Sequence, residues 1–341
     1  MMKISSLGEF GLIERIRRTA TRDAKRVRVG IGDDAAALLL SPDSALLATT
    51  DMLLEGVHFD LATTGLYSLG WKSAAVNLSD IAAMGGAPRF CLTALGIPPS
   101  LTAGDISAFY RGVNACLQKF GTILVGGDTC SSRKGLVISV TVLGEMEKKR
   151  VITRSGARPG DLLFVTGTLG DSAAGLEILR SADRGVRSRT PAVRKLIERH
   201  LRPVPRVEWG RKLADSGIAS AMIDVSDGLS SDLGHICEQS GVGAEVLADR
   251  IPLSKEIGTV KALQRQPLEY ALSGGEDYEL LFTVPPARLR TLRALRIAAT
   301  EIGTITRGSG MRLVRKDGLS GPFTATGYDH FPQKRKRGGT R

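Results

Sequence analysis

The chain has 341 residues, 42% hydrophobic, 24% charged and 5% aromatic, with 40 glycines; that is enough for two domains with ample core, and it excludes a coiled coil or a disordered chain in favour of an α/β or α+β enzyme rich in tight turns. The formal charge of +12 fits attraction of anionic substrates, or contact with nucleic acid or a membrane surface. No run approaches the ~18 apolar residues of a membrane span, the N-terminus has no apolar stretch behind its charge, and Cys91, Cys116, Cys130 and Cys237 form no C-x-x-C pair, which argues against zinc or a disulfide framework and for a reducing cytoplasm.

Ser6 and Glu9 match a capping box and predict an N-terminal helix. A turn follows at Gly30-Ile31-Gly32, then a buried strand over 45–48 that delivers Thr49, Thr50 and Asp51. From Leu69 to Met84 the residues Trp71, Ala74, Ala75, Leu78, Ile81 and Ala82 recur at helical spacing, with Asn77 and Asp80 on the other face. Strands are expected over 90–97, 122–125 and 136–143, and a helix over 106–120. A boundary falls near Lys148-Lys149-Arg150. Beyond it the pattern predicts strands over 162–166, 219–225, 278–284 and 301–306, and helices over 170–179 and 229–239. The charged stretch 183–205, with Pro191, Pro203 and Pro205, reads as a surface excursion around a short helix. No repeat of fixed period is present, although Val76-Asn77-Leu78-Ser79-Asp80 and Ile223-Asp224-Val225-Ser226-Asp227 are alike.

Acidic residues gather at the ends of apolar runs, mostly beside glycine. They are Gly32-Asp33-Asp34, Thr49-Thr50-Asp51, Gly126-Gly127-Asp128, Asp224-Val225-Ser226-Asp227-Gly228 and Gly274-Gly275-Glu276-Asp277, with Asp80 on the predicted helix. Clustered carboxylates repel and need cations, and hard oxygen ligands beside open backbone suit Mg²⁺ bridging to phosphates. Each motif alone has a plainer reading. Asp33-Asp34 and Gly126-Gly127-Asp128 also suit turns or caps, Asp80 suits a solvated helix face, His58 suits packing, and Arg154 suits a turn. The Walker A pattern and the protein-kinase set are absent, and Gly30-x-Gly32 lacks the third glycine of a dinucleotide fingerprint.

Together the motifs say more. Gly30-Ile31-Gly32-Asp33-Asp34-Ala35, Thr50-Asp51 through Gly56-Val57-His58-Phe59, Ala75 to Gly85, Gly126-Gly127-Asp128-Thr129, Thr153-Arg154-Ser155-Gly156-Ala157, Ile223 to Gly228, Leu272 to Glu279 and Gly327-Tyr328-Asp329-His330-Phe331 run in order between Gly8 and Phe331. They resemble the thiamine-monophosphate kinase family, within a superfamily that includes aminoimidazole ribonucleotide synthetase, selenophosphate synthetase and a hydrogenase-maturation protein. The resemblance implies a two-domain α/β (α+β) fold. An N-terminal α/β domain (1–149) pairs in a homodimer, a C-terminal α+β domain (150–331) follows, ATP lies in the cleft between them, and 332–341 is a disordered basic tail.

It also implies site residues. Asp34, Thr49, Thr50, Asp51, Asp80, Asp128, Asp224 and Asp227 match metal-binding positions for Mg²⁺. Tyr110, Gly127, Asp128, Arg154 and Ser226 match ATP contacts. His58 and Glu276 match positions that hold thiamine monophosphate. Relatives often carry an aromatic shortly before the Gly-Tyr-Asp-His-Phe ending. Ala325 occupies that slot here, which leaves ring stacking to Phe323 or Tyr328, or weakens it.

The implied reaction moves the ATP γ-phosphoryl onto thiamine monophosphate. The attacking phosphate has its second pKa near ~6, so no general base is required. Repulsion is the barrier: unit charges ~4 Å apart cost about 4 kcal/mol at an effective dielectric of ~20. Two rivals share some of these features. A ligase resembling aminoimidazole ribonucleotide synthetase would keep the ATP and metal motifs without the thiamine pocket. A nucleic-acid-binding protein would use the tail Gln333-Lys334-Arg335-Lys336-Arg337, but the interleaved aromatics of a single-strand platform are missing. The expected partners are thus ATP and thiamine monophosphate, with no nucleic acid and no membrane.

Overall fold

The computed structural model of the protein describes residues 27–29, 33–39, 43–181 and 190–324. The helix expected from Ser6, the Gly30–Gly32 turn, Ala325, the Gly-Tyr-Asp-His-Phe ending and the basic tail lie outside the described residues.

Alternating apolar residues build a first sheet of six strands. Their order is β1 (Val27–Val29), β2 (Ala36–Leu39), β3 (Ser44–Leu54), β6 (Val137–Glu147), β4 (Ala87–Ile97) and β5 (Ile123–Ser131). Neighbours are antiparallel except β4 and β5. On β3, Leu47, Thr49 and Leu53 are buried while Thr50 and Met52 are exposed, the period of two that a pleat imposes.

The second sheet has seven strands. Their order is β13 (Ser320–Pro322), β12 (Gly310–Val314), β9 (Gly243–Leu247), β11 (Ala299–Thr306), β7 (Leu162–Thr166), β10 (Leu280–Val284) and β8 (Ala221–Asp224). One pair, β9 and β12, is parallel.

Helix α1 (Leu66–Ala83) packs on β3, β4 and β6 and also reaches β8, so it lies between the two sheets. Its expected polar face does not exist: Lys72, Ser73, Asn77 and Ser79 are buried along with the apolar residues. A helix enclosed on all sides must partner its polar groups internally. Helix α2 (Ala103–Lys119) packs on α1 and starts earlier than its apolar spacing predicts, because Thr102 and Asp105 form a capping box.

Helices α3 (Asp171–Arg180), α4 (Pro191–Leu201), α5 (Val207–Ser216), α6 (Leu229–Ser240), α7 (Lys255–Thr259), α8 (Pro267–Ser273) and α9 (Leu289–Ala294) complete the described elements. Of the stretch 183–205, expected to be a surface excursion around a short helix, 183–189 lie outside the described residues; the helix is present, but it is not a surface excursion. Helix α4 buries Val193, Leu196 and His200 and packs on α3 and α1. One apolar core takes in Leu47, Ile81 and Val140 from the first half and Met222, Leu280 and Phe282 from the second, which ties the two sheets together.

Gly126-Gly127-Asp128, readable as a turn at a strand end, lies inside β5 instead. A side chain at Gly127 would place its Cβ 1.9 Å from the Thr93 carbonyl oxygen of β4. The glycine permits close pairing of the parallel strands rather than a turn.

Candidate active site

Asp34 follows the Asp33 bridge before β2, Asp80 sits in the last turn of α1, and Asp224 ends β8. Three distant segments therefore bring carboxylate oxygens within 4.8 Å of one another. Thr49 Oγ1 donates to Asp80 Oδ2 at 2.5 Å, and Ser79 Oγ donates to Asp224 Oδ2 at 2.6 Å. Burial, then the neighbouring acids Asp51, Asp224 and Asp34, push the Asp80 carboxyl well above its ordinary value. Burial and Asp34 do the same to Asp224. Burial alone raises Asp51 to about 6. Asp33 rises to about 7 through burial and the charge of Asp34. Removing like charges from water without a counter-ion has this effect.

Arg154 supplies one cation. Its Nε and NH2 donate to Asp34 Oδ2 and Oδ1 at 3.1 and 2.9 Å, a bidentate fork. One guanidinium does not balance Asp34, Asp51, Asp80 and Asp224. The surplus of hard carboxylate oxygens, gathered within coordination reach of one centre, fits a divalent cation such as Mg²⁺.

A second constellation borders the first. Glu276 and Tyr278 adopt left-handed backbone, with φ of 58° and 52°, which costs about 1–3 kcal/mol per residue unless neighbours hold it. They are held. Glu276 N donates to Ser226 O at 2.7 Å, and Tyr278 N donates to Val225 O at 2.9 Å. Between them the Asp277 carboxylate accepts from the backbone of Gly170 and Ser172. Glu279, fully buried, accepts from Thr166 Oγ1 and from the guanidiniums of Arg199 and Arg206. Glu276 itself pairs with Lys72 at 2.6 Å and with His200 at 3.3 Å. Burial, the largest single influence, works to raise the Glu276 carboxyl, but Lys72, His200 and His58 together outweigh it and hold the group below its ordinary value.

The sequence-derived residues divide into groups. Asp34, Asp80 and Asp224 converge, with Thr49 bonded to Asp80 and Asp51 close enough to raise it. Arg154 joins them through Asp34, and the Ser226 carbonyl anchors Glu276. Asp227 lies in the same loop, its backbone N–H held by Asp232 Oδ2 at 3.2 Å. His58 accepts from Leu54 N through Nδ1 at 3.0 Å and lies within electrostatic range of Glu276.

Other residues stand apart. The Thr50 side chain is on the opposite face of β3 and bonds Val140 O and Thr141 Oγ1. Gly127 and Asp128 lie on exposed β5, three strands and roughly 14 Å from β3. Tyr110 is on α2, edge-on to Phe109 with ring centroids 5.5 Å apart. Phe323, a candidate for ring stacking, is committed to the second apolar core at 7% exposure.

Sequence reasoning missed Lys72, His200, Ser79 and Asp232. No local motif marks the first two; only the burial of their helices does. Asp232, 1% exposed in the first turn of α6, accepts from the backbone N–H groups of Asp227 and Gly228, and an Asp four residues beyond Gly228 could have signalled that cap.

Two domain descriptions match the chain: AIR synthase related protein, N-terminal domain, over residues 32–146, and its C-terminal domain over residues 158–316. The two-sheet fold with an acid-lined junction is thus that of the AIR synthase related proteins. The thiamine-monophosphate kinase of Salmonella typhimurium is 43% identical over 334 residues, covering 95% of this chain and 98% of that protein. That of Aquifex aeolicus is 40% identical over 311 residues, covering 91% and 95%. A solved structure described as AaThiL complexed with AMPPCP and TMP is 39% identical, covers 97% of this chain and 99% of its own, and superposes with a TM-score of 0.85. The chain belongs to the thiamine-monophosphate kinase family.

Proposed function

We propose that the protein phosphorylates thiamine monophosphate to thiamine diphosphate by direct in-line transfer of the ATP γ-phosphoryl. The observation that carries this reading is the convergence of Asp34, Asp80 and Asp224 within 4.8 Å, beside a separately anchored Glu276. The relative solved with AMPPCP and TMP supports both substrates.

Asp34, Asp80 and Asp224 would hold Mg²⁺, with Asp51 and Asp227 adjacent. When bound, the ion neutralises the facing polyanions and orders their oxygens. Arg154, already forked onto Asp34, turns its remaining donors to ATP oxygens. The Ser226 loop completes the nucleotide side, with Gly127 and Asp128 on the edge strand β5 and Tyr110 on α2. Glu276 accepts from the amino-bearing ring of thiamine, and His58 lines the same end.

The division at 149/150 into an N-terminal nucleotide-binding and C-terminal domain, a cytoplasmic location and a homodimer belong to this reading. The homodimer draws support from the outer face of the first sheet, where Met52, Phe90, Leu92, Ile123 and Val125 are exposed. An apolar sheet face of this kind is normally covered. Among the described residues no helix is long and apolar enough to cross a membrane.

An acceptor panel tests the function. Thiamine monophosphate should support ADP release with formation of thiamine diphosphate, while aminoimidazole ribonucleotide precursors should not. Turnover of the latter alone would replace the kinase reading with a ligase.

A further inference from the structure

Lys72 is 2% exposed in the middle of α1. A buried ammonium needs a reason, because an isolated one costs several kcal/mol. Its Nζ lies 2.6 Å from Glu276 Oε1 and 3.5 Å from His200 Nε2. His200, 4% exposed on α4, faces Glu276 Oε2 at 3.3 Å and Ser172 Oγ at 3.1 Å through Nδ1.

The donor inventory fixes the roles. Lysine has no acceptor, so the imidazole nitrogen facing it is the bare one, and Nδ1 carries the proton to Ser172 Oγ, with Glu276 Oε2 alongside. Burial and the Lys72 charge hold His200 at about 3, neutral at physiological pH. Lys72 therefore holds Glu276 Oε1 at 2.6 Å, and the His200 ring stands 3.3 Å from Oε2. Both oxygens keep lone pairs beyond these contacts. The Glu276 side chain is 30% exposed while those of Lys72 and His200 are 3% and 5% exposed, so the constellation is sealed behind and open only at the carboxylate. Glu276 projects from a left-handed backbone position.

We infer that Lys72 and His200 are positioning residues for the acceptor substrate: they clamp the Glu276 carboxylate, ionised and in one orientation, so that its free lone pairs meet the N–H groups of an amino-bearing heterocycle. Lys72 and Glu276 cancel in charge and His200 is neutral, so the clamp selects hydrogen-bond donors rather than any cation. The inference rests on the proposed function, in which Glu276 holds thiamine monophosphate.

The test is a double-mutant cycle of Lys72→Met and Glu276→Gln, read as KM for thiamine monophosphate, with the Kd for AMPPCP measured alongside. Outer-shell partners that orient metal ligands contribute about 10- to 100-fold; taking the same factor for a group that orients a substrate-binding carboxylate, Lys72→Met should raise the thiamine monophosphate KM about 10- to 100-fold. AMPPCP affinity should stay within about twofold, and in the Glu276→Gln background the added effect should shrink to about twofold, because Lys72 acts through Glu276. An unchanged KM in Lys72→Met, equal losses for both ligands, or the same loss in both backgrounds overturns the inference. Should Lys72→Met fail to fold, His200 carries the test: His200→Leu removes the polar ring beside Glu276 Oε2 and should raise KM about tenfold, while His200→Asn keeps a polar group there and should stay within about threefold. Equal values for those two variants overturn the inference. Wild-type turnover is measured in parallel; its absence strikes the proposed function instead.

Discussion

Ser79 Oγ donates a 2.6 Å hydrogen bond to Asp224 Oδ2 across 145 positions of sequence. The bond joins α1 to the end of β8 and fixes two acid-bearing segments in one place. Asp80 is the next residue on α1, and Lys72 lies eight positions earlier, about 12 Å along a helix. A single buried helix therefore contributes Asp80 to the acid cluster and Lys72 to the Glu276 clamp.

Asp80→Asn keeps an acceptor for Thr49 and removes a buried charge. Turnover should fall by on the order of 10²–10³-fold, the usual cost of losing one preorganised electrostatic group. The metal-free variant should melt no lower than the metal-free wild type, because repulsion with Asp34 and Asp224 is relieved. Thermal unfolding with and without Mg²⁺ checks this: the ion raises the melting temperature of the wild type and not of the variant. Wild-type turnover in the variant at limiting Mg²⁺ would remove Asp80 from the metal site.

Arg154→Lys keeps the charge and loses the fork that grips Asp34. A lysine cannot replace bidentate geometry, so the KM for ATP should rise about tenfold. Steady-state kinetics at saturating thiamine monophosphate measures this; an unchanged ATP KM contradicts it.

Arg206→Met leaves the fully buried Glu279 with Arg199 alone. Breaking a buried pair by removing one partner costs about 3–5 kcal/mol, and the remaining arginine places this variant at the lower end. Urea unfolding should show the loss, and Glu279→Gln should lose less than Arg206→Met.

His200 carries a pH dependence. Its folded value is lowered from 6.5 to about 3 by burial and then by Lys72. The unfolded chain therefore binds a proton below pH ~6.5 that the folded protein refuses, so this contribution to stability is present above that pH and is lost as pH falls toward 3. A single such group gives a slope of up to about 1.4 kcal/mol per pH unit. His200→Asn should flatten the stability profile by that amount between pH 6 and 4, relative to the wild type. Parallel profiles would contradict the assignment.

The acid-ended glycine turns were legible in the sequence because their chemistry is local. Gly275 needs its φ of +69°, and a Cβ there would lie 2.5 Å from Ser226 O, so the Gly-Gly-Glu-Asp motif announces itself. The strands expected over 162–166 and 219–225 and the helix over 229–239 are found at 162–166, 221–224 and 229–240, the strands legible as short apolar runs bounded by turn residues. Lys72 was not legible, because its role arises only when β8, α4 and the Glu276 loop close over α1. The stretch before Pro203 looked like surface because its charges were counted without their partners; Arg199 and His200 both turn inward to Glu279 and Glu276 of the loop before β10. Thr50 shows the reverse case: it adjoins Asp51 in sequence, yet the pleat sends its side chain to the other face of β3.

The most direct measurement is the stoichiometry of ADP and thiamine diphosphate formed from ATP and thiamine monophosphate, with Mg²⁺ and again with excess EDTA. Equal amounts of both products with the cation, and neither without it, are predicted. ADP appearing without thiamine diphosphate, or undiminished formation of both in EDTA, would contradict the assignment of Asp34, Asp80 and Asp224 to a cation that joins the two anionic substrates.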